Sequence, residues 1–119
     1  MPQLEEGLPT GSPAVLHGLE ISIERHSHVV VVRLAGEIDV GTGPELERRL
    51  QEIATGAHTH VLIDLSEVEF MDSTGLRSIV RAQHSANSSG RRLSLRRGSA
   101  QVQRLFEITG VLDRLTFED

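Results

Sequence analysis

Phe70-Met71-Asp72-Ser73-Thr74-Gly75-Leu76 stands between two regular stretches. Before it lies an apolar run, Val61-Leu62-Ile63-Asp64-Leu65, and after it Leu76, Ile79, Val80 and Ala86 recur at helical spacing. The first reads as a strand over 60–65 and the second as an amphipathic helix. The polar turn between them carries three good N-cap residues, Asp72, Ser73 and Thr74, whose side-chain oxygens can accept from the first free N–H groups of the helix. A phosphate on a serine at the positive end of a helix is well tolerated by the helix, yet it changes the surface sharply. Ser73 is therefore a candidate regulatory phosphorylation site on a small binding module.

Working outward, Leu19-Glu20-Ile21-Ser22-Ile23-Glu24 alternates apolar and polar residues, as a strand with one wet face does. Val29-Val30-Val31-Val32-Arg33-Leu34 is an apolar β-branched run suited to a central strand, and the two form an antiparallel hairpin. Gly36-Glu37-Ile38-Asp39 leaves that strand. Thr42-Gly43-Pro44-Glu45 has the capping-box pattern, and Leu46, Leu50, Ile53 and Ala54 mark the inner face of the helix it opens, which Gly56 ends. Downstream of the Ser73 helix, Asn87-Ser88-Ser89-Gly90 closes it and Arg92-Leu93-Ser94-Leu95-Arg96 is a short strand. Ser99 caps a third helix with Val102, Leu105 and Phe106 inside, and a last short strand or turn runs through Leu115 and Phe117. The order is β-β-α-β-α-β-α-(β). Strands joined through single helices pair in parallel by right-handed crossovers, and strands added in one direction put those helices on one face. The expected architecture is α/β: a mixed sheet of four to five strands with three or more helices mainly on one face. Residues 18–119 form one domain, and residues 1–17, with Gly7, Pro9, Gly11, Ser12 and Pro13, read as a disordered tail.

Composition narrows the functions available. The chain has 119 residues and no cysteine, which excludes a disulfide scaffold and a thiol switch and disfavours structural zinc. A net charge of −5 and the lack of tryptophan and tyrosine argue against direct nucleic-acid binding. No apolar run reaches membrane-spanning length, and no signal peptide opens the chain, so a cytoplasmic location is expected.

Three motifs in order carry a resemblance to a known family. Gly36-Glu37-Ile38-Asp39, then Leu62-Ile63-Asp64-Leu65 with Phe70-Met71-Asp72-Ser73-Thr74-Gly75-Leu76, then Arg104-Leu105-Phe106-Glu107-Ile108-Thr109-Gly110-Val111 are similar to the corner, the phosphorylation loop and the third helix of STAS domains. The chain resembles in particular the stand-alone bacterial anti-sigma factor antagonists, over about residues 19–117. That resemblance implies a partner switch acting on transcription, as in stress responses. The unphosphorylated protein binds an anti-sigma factor that is also a serine kinase, and so frees the sigma factor. The kinase phosphorylates the serine after the loop aspartate, here Ser73, and the complex comes apart. A metal-dependent serine phosphatase restores the binding form. Carried over by position, Ser73 is the phosphoacceptor, Asp72 its motif neighbour, and Asp39, Thr74, Gly75 and Arg77 belong to the partner-binding loop and helix start. Arg77 departs from the small residue, often glycine, common at that place, and either narrows the choice of kinase or is a solvated surface arginine. The family leans to monomers without a cofactor. A second use of the same fold is as a scaffold subunit in a stress-sensing assembly or a lipid-transport complex; the short chain and the intact Asp72-Ser73-Thr74-Gly75 turn favour the first.

Other features have plainer readings. His26-x-His28 and His58-x-His60 lack the converging third and fourth ligands that a metal site needs. Ser73 has no G-x-S-x-G elbow around it and no placed histidine, so catalysis is not expected. Gly41-Thr42-Gly43 is a turn, since the chain has no lysine to complete a P-loop. Arg91, Arg92, Arg96, Arg97 and Arg104 make a basic rim, either solvated or facing a partner.

Overall fold

The computed structural model describes residues 14–118 apart from 17, 55, 57 and 58. Strands β1 (Ala14–Leu16), β2 (Leu19–Arg25) and β3 (Val29–Ile38) come first. Helix α1 (Gly43–Ala54), β4 (His60–Met71), α2 (Ser73–Ser88), β5 (Arg92–Arg96) and α3 (Ala100–Ile108) follow. A single 3-10 turn (Leu112–Arg114) leads to β6 (Phe117–Glu118). The six strands lie side by side in chain order, β1 to β3 antiparallel and β3 to β6 parallel. Steady addition in one direction gives three crossovers of the same sense, which is why one face receives α1, α2 and α3.

Alternation places the core. Leu19 and Ile21, Val30, Val32 and Leu34, Val61, Ile63 and Leu65, and Leu93 and Leu95 join Leu46, Leu50 and Ile53 of α1, Leu76, Ile79 and Ala86 of α2, and Val102 and Phe106 of α3 in one buried cluster. Phe106 is fully buried, and its ring meets Phe117 edge-on at 5.7 Å. The other face carries a polar row straight across four strands, Ser22, Arg33, Asp64 and Arg96, each in register with the next. Asp64 lies between two guanidiniums, 3.0 Å from Arg96 and 3.9 Å from Arg33, and Arg33 also pairs with Glu24 at 2.9 Å.

The architecture is the expected mixed sheet with helices on one face, and four boundaries differ. The sheet has one strand more than expected, because β1 occupies 14–16 of the anticipated tail; residues 1–13 lie outside the described residues. Strand β3 does not end before Gly36, and β4 does not end at Leu65. The two run on together to Ile38 and Met71. Register shifts between Arg33 and Ala35 and between Gly36 and Glu37 break the period of two, so Ser66-Glu67-Val68-Glu69 does not look like a strand in sequence. The α2 helix runs on through Asn87 and Ser88 instead of closing there. The capping box at Thr42–Glu45 is replaced by a different cap, described below.

Gly36 is needed where it stands. Its φ is +109°, and a Cβ there would lie 1.9 Å from the carbonyl oxygen of Gly18. That carbonyl accepts from the N–H of Glu37 at 3.0 Å, so the β1–β2 turn lies against the bulge in β3.

Candidate functional site

The site lies where β3 and β4 end side by side. Ile38 and Met71 are register partners, and the N–H of Asp72 donates to the carbonyl of Ile38 at 3.1 Å. Asp39 and Asp72 therefore leave the sheet next to each other. Each then begins a helix.

Asp72 is the N-cap of α2. Its Oδ1 accepts from the N–H of Thr74 at 2.8 Å and of Gly75 at 3.4 Å, while its carbonyl accepts from Leu76 at 3.1 Å. Of the three cap-forming residues in the turn, the aspartate takes the position. Ser73 is left as the first helical residue, exposed, with no side-chain hydrogen bond among the described residues. Asp39 instead ties down the turn that leads into α1. Its Oδ1 accepts from the N–H groups of Gly41 (2.9 Å) and Thr42 (3.2 Å), and its carbonyl accepts from Gly43 at 2.7 Å. The Thr42 hydroxyl turns back, accepting from the N–H of Asp39 and donating to the carbonyl of Glu37 at 3.0 Å. Glu45 pairs with Arg48 rather than reaching back to Thr42. The expected capping box fails because Asp39 has already taken the Thr42 N–H.

Thr74 and Gly75 set how closely the elements approach. A Cβ on Gly43 would lie 2.9 Å from the Thr74 methyl group, so the starts of α1 and α2 touch at this point. A Cβ on Gly75 would lie 2.6 Å from Ile38 Cγ2 and 2.8 Å from Met71 Cγ, so α2 sits directly on the strand ends. One turn deeper, Ser78 donates to Glu47 of α1 at 3.3 Å, and Arg81 pairs with the same carboxylate at 3.1 Å. The loop holding Ser73 is thus clamped at both sides.

The structure brings Asp39, Asp72, Ser73, Thr74 and Gly75 together. Arg77 is one turn further along α2, exposed and without an ion pair among the described residues. Two residues that the sequence reading missed lie on the same rim. Val40, 75% exposed, follows Asp39, and Phe70, 50% exposed, lies two residues before Asp72. Both leave apolar surface in water beside the polar turn. Nothing in the sequence pattern marks either residue, since their exposure depends on what the fold leaves uncovered.

The other candidates separate. Arg96 is spent on Asp64, Arg91 donates to the carbonyl of Gly56 at 2.7 Å, and Arg97 lies 5.1 Å above the Phe117 ring, so much of the basic rim serves packing. Burial opposes ionisation of Asp64, but hydrogen bonds from Ser66 and Arg96 outweigh it and hold the carboxyl below its ordinary value. Glu24 is held low by its bond to Arg33. His26 meets Glu24, and His60 meets Ser94 and Glu118, while His58 lies outside the described residues. Among the described residues no group of three His, Asp or Glu side chains is placed to hold a metal ion, and no helix is long and apolar enough to cross a membrane.

A family model described as STAS domain matches residues 20–119. The chain belongs to the STAS family. An anti-sigma-B factor antagonist of Staphylococcus epidermidis is 36% identical over 95 residues, 80% of this chain and 88% of that relative. The anti-sigma factor antagonist from Mycobacterium paratuberculosis superposes with a TM-score of 0.77 at 26% identity, covering 83% of this chain and 84% of that one. SpoIIAA in its unphosphorylated form shares the fold, with a TM-score of 0.70 at 23% identity over 83% of this chain and 88% of its own. Within the family, these relatives are anti-sigma factor antagonists.

Proposed function

We propose that this STAS domain is an anti-sigma factor antagonist in a partner-switching pathway, with Ser73 as the switch. The unphosphorylated form binds an anti-sigma factor with serine kinase activity and frees the sigma factor. Phosphorylation of Ser73 releases the complex, and a metal-dependent serine phosphatase reverses the modification. The protein acts in the cytoplasm by binding rather than by catalysis.

The observation that carries this reading is the position of Ser73. It is exposed at the first position of α2, directly after the capping Asp72, and no hydrogen bond among the described residues uses its hydroxyl. A phosphate there adds about −1.5 to −2 charges at neutral pH. The helix start and Arg77 offset that charge within the domain. A partner docked on Val40 and Phe70 must instead desolvate it next to Asp39 and Asp72, and crowded like charge disfavours docking. The sign is therefore a fold left intact and a complex weakened.

The test is to mix the protein with candidate anti-sigma kinases of its own genome and ATP, then to measure intact mass, map peptides and assay binding. One phosphate at Ser73, absent from Ser73→Ala, with binding lost afterwards, is the expected result. Binding unchanged by phosphorylation, or by Ser73→Asp, refutes the switch. Equal phosphorylation rates for the wild type and Arg77→Gly would remove Arg77 from kinase selection.

A further inference from the structure

The joint extension of β3 and β4 leaves one side of β4 open. Strand β5 ends opposite Asp64, whereas β4 runs on to Met71 with β3 beside it. Past Arg96 the chain turns off the sheet. A Cβ on Gly98 would lie 3.2 Å from the Leu65 carbonyl oxygen, and Ser99 then caps α3. Residues 66–70, about 16 Å of strand, are therefore without a strand on that side among the described residues. No backbone hydrogen bond outside the β3 pairing reaches them there; only the N–H of Ser66 is used, by Asp64 Oδ1 at 2.9 Å. Ser66, Glu67, Val68 and Glu69 of this edge, with Ser99 and Gln101 at the start of α3, line a groove of about 500 Å³. All of them but Val68 are exposed.

An open strand edge offers unpaired N–H and C=O groups and can take a further strand. Charge decides which strand. Glu67 and Glu69, and Glu37 on β3, form no ion pair among the described residues. A second copy of this chain would bring the same carboxylates to the edge. Residues 1–13 hold Glu5 and Glu6 and no basic residue. Like charge disfavours both as occupants. We propose that residues 66–70 take an extended basic peptide of a partner protein as an added strand, backbone against backbone, with its arginine or lysine side chains on Glu67 and Glu69. The edge ends at Phe70, two residues before Asp72, so the added strand lies alongside the Ser73 rim. Its contacts require no phosphate on Ser73.

The experiment is an NMR titration of the full chain with the end-capped peptide RVRVR as the probe and end-capped EVEVE as the control. Saturable shifts of the amides of residues 66–70, Ser99 and Gln101 are expected with the first and none with the second. Glu67→Gln combined with Glu69→Gln, both at exposed positions, should weaken binding about threefold or more. In a strand only alternate residues turn their backbone groups to a given neighbour. Methylating the backbone nitrogens of the valines, or instead those of the arginines, should therefore abolish binding in one case and spare it in the other. No saturable shift with RVRVR, shifts that map elsewhere, equal binding of EVEVE, unchanged affinity in the doubly substituted protein, or equal affinity of the two methylated peptides would overturn the proposal.

Discussion

Gly75→Ala tests whether the start of α2 is held by close packing rather than by helix preference. The added Cβ would stand 2.6 Å from Ile38 Cγ2 and 2.8 Å from Met71 Cγ, where ordinary contact begins at 3.4 Å. Met71 is flexible and 7% exposed, so it can give way. Ile38 cannot: it is fully buried, β-branched and paired at the end of β3. Alanine for glycine inside a helix is worth up to about 1 kcal/mol by propensity alone, whereas forcing a methyl group into a packed site costs about 1–3 kcal/mol. With Ile38 fixed the cost lies at the upper end of that range and the second effect wins, leaving a net loss of about 2 kcal/mol, or a fall in Tm of about 8–15 °C for a domain of this size. Thermal unfolding by circular dichroism reads it directly.

A second background isolates the cause. Ile38→Ala removes the clashing Cγ2 at its own cost in stability. On that background the added methyl should be neutral or stabilising, a coupling of about 1–3 kcal/mol between two residues in contact. A Gly75→Ala protein as stable as the wild type, or one equally destabilised on both backgrounds, would refute the close-packing argument.

Gly36→Ala should be the most damaging of the motif substitutions, costing about 3 kcal/mol or more in urea unfolding, because it combines positive φ with a backbone clash at 1.9 Å. Asp72→Ala should lose about 1 kcal/mol of cap stabilisation, and Asp72→Ser should recover most of it in the same unfolding measurement. Asp64→Asn should be less stable than the wild type at neutral pH and show a shallower acid limb. A carboxyl held low in the folded state contributes stability above its ordinary value of 3.8 and loses it as pH falls through the folded value, so the two proteins should converge in stability below that range. A Tm-against-pH series on both would reveal parallel curves if Asp64 were not responsible.

Much of this fold is legible because the strands and helices keep their periods. Leu19/Ile21, Val61/Ile63/Leu65 and Leu93/Leu95 alternate, and Leu46, Leu50 and Ile53 recur on one helix face, so element order and direction follow. What escapes is where the backbone departs from its period. The bulges after Arg33 and Gly36 hide the joint extension of β3 and β4, and β1 is three residues long in a stretch rich in glycine and proline. The turn before α1 departs from its sequence pattern for a related reason. Thr42-x-x-Glu45 matches a capping box, but Asp39-x-x-Thr42 is an equally good capping spacing, and the residue nearer the sheet end takes the N–H groups first. Ser73 was legible as an exposed helix-start residue, while Val40 and Phe70 were not, because exposure of an apolar residue depends on what the tertiary fold leaves uncovered.

The two sequence motifs that meet at this site divide unevenly between folding and function. Gly36 makes room for the Gly18 carbonyl, Ile38 is core, and Asp39 ties down the turn before α1. Asp72 caps α2, Thr74 packs on Gly43, and Gly75 seats the helix on the strands. Among the residues of the Asp72-Ser73-Thr74-Gly75 turn only the Ser73 side chain has no task in the fold. That division has a physical consequence for any switch at this place. Because the carboxylates of Asp39 and Asp72 are already bonded to their own backbones, a new phosphate need not compete with them for N–H donors, and it adds its charge to the surface without loosening either helix. Substitutions at the supporting residues should therefore move stability and binding together, whereas substitution or modification of Ser73 should move binding alone.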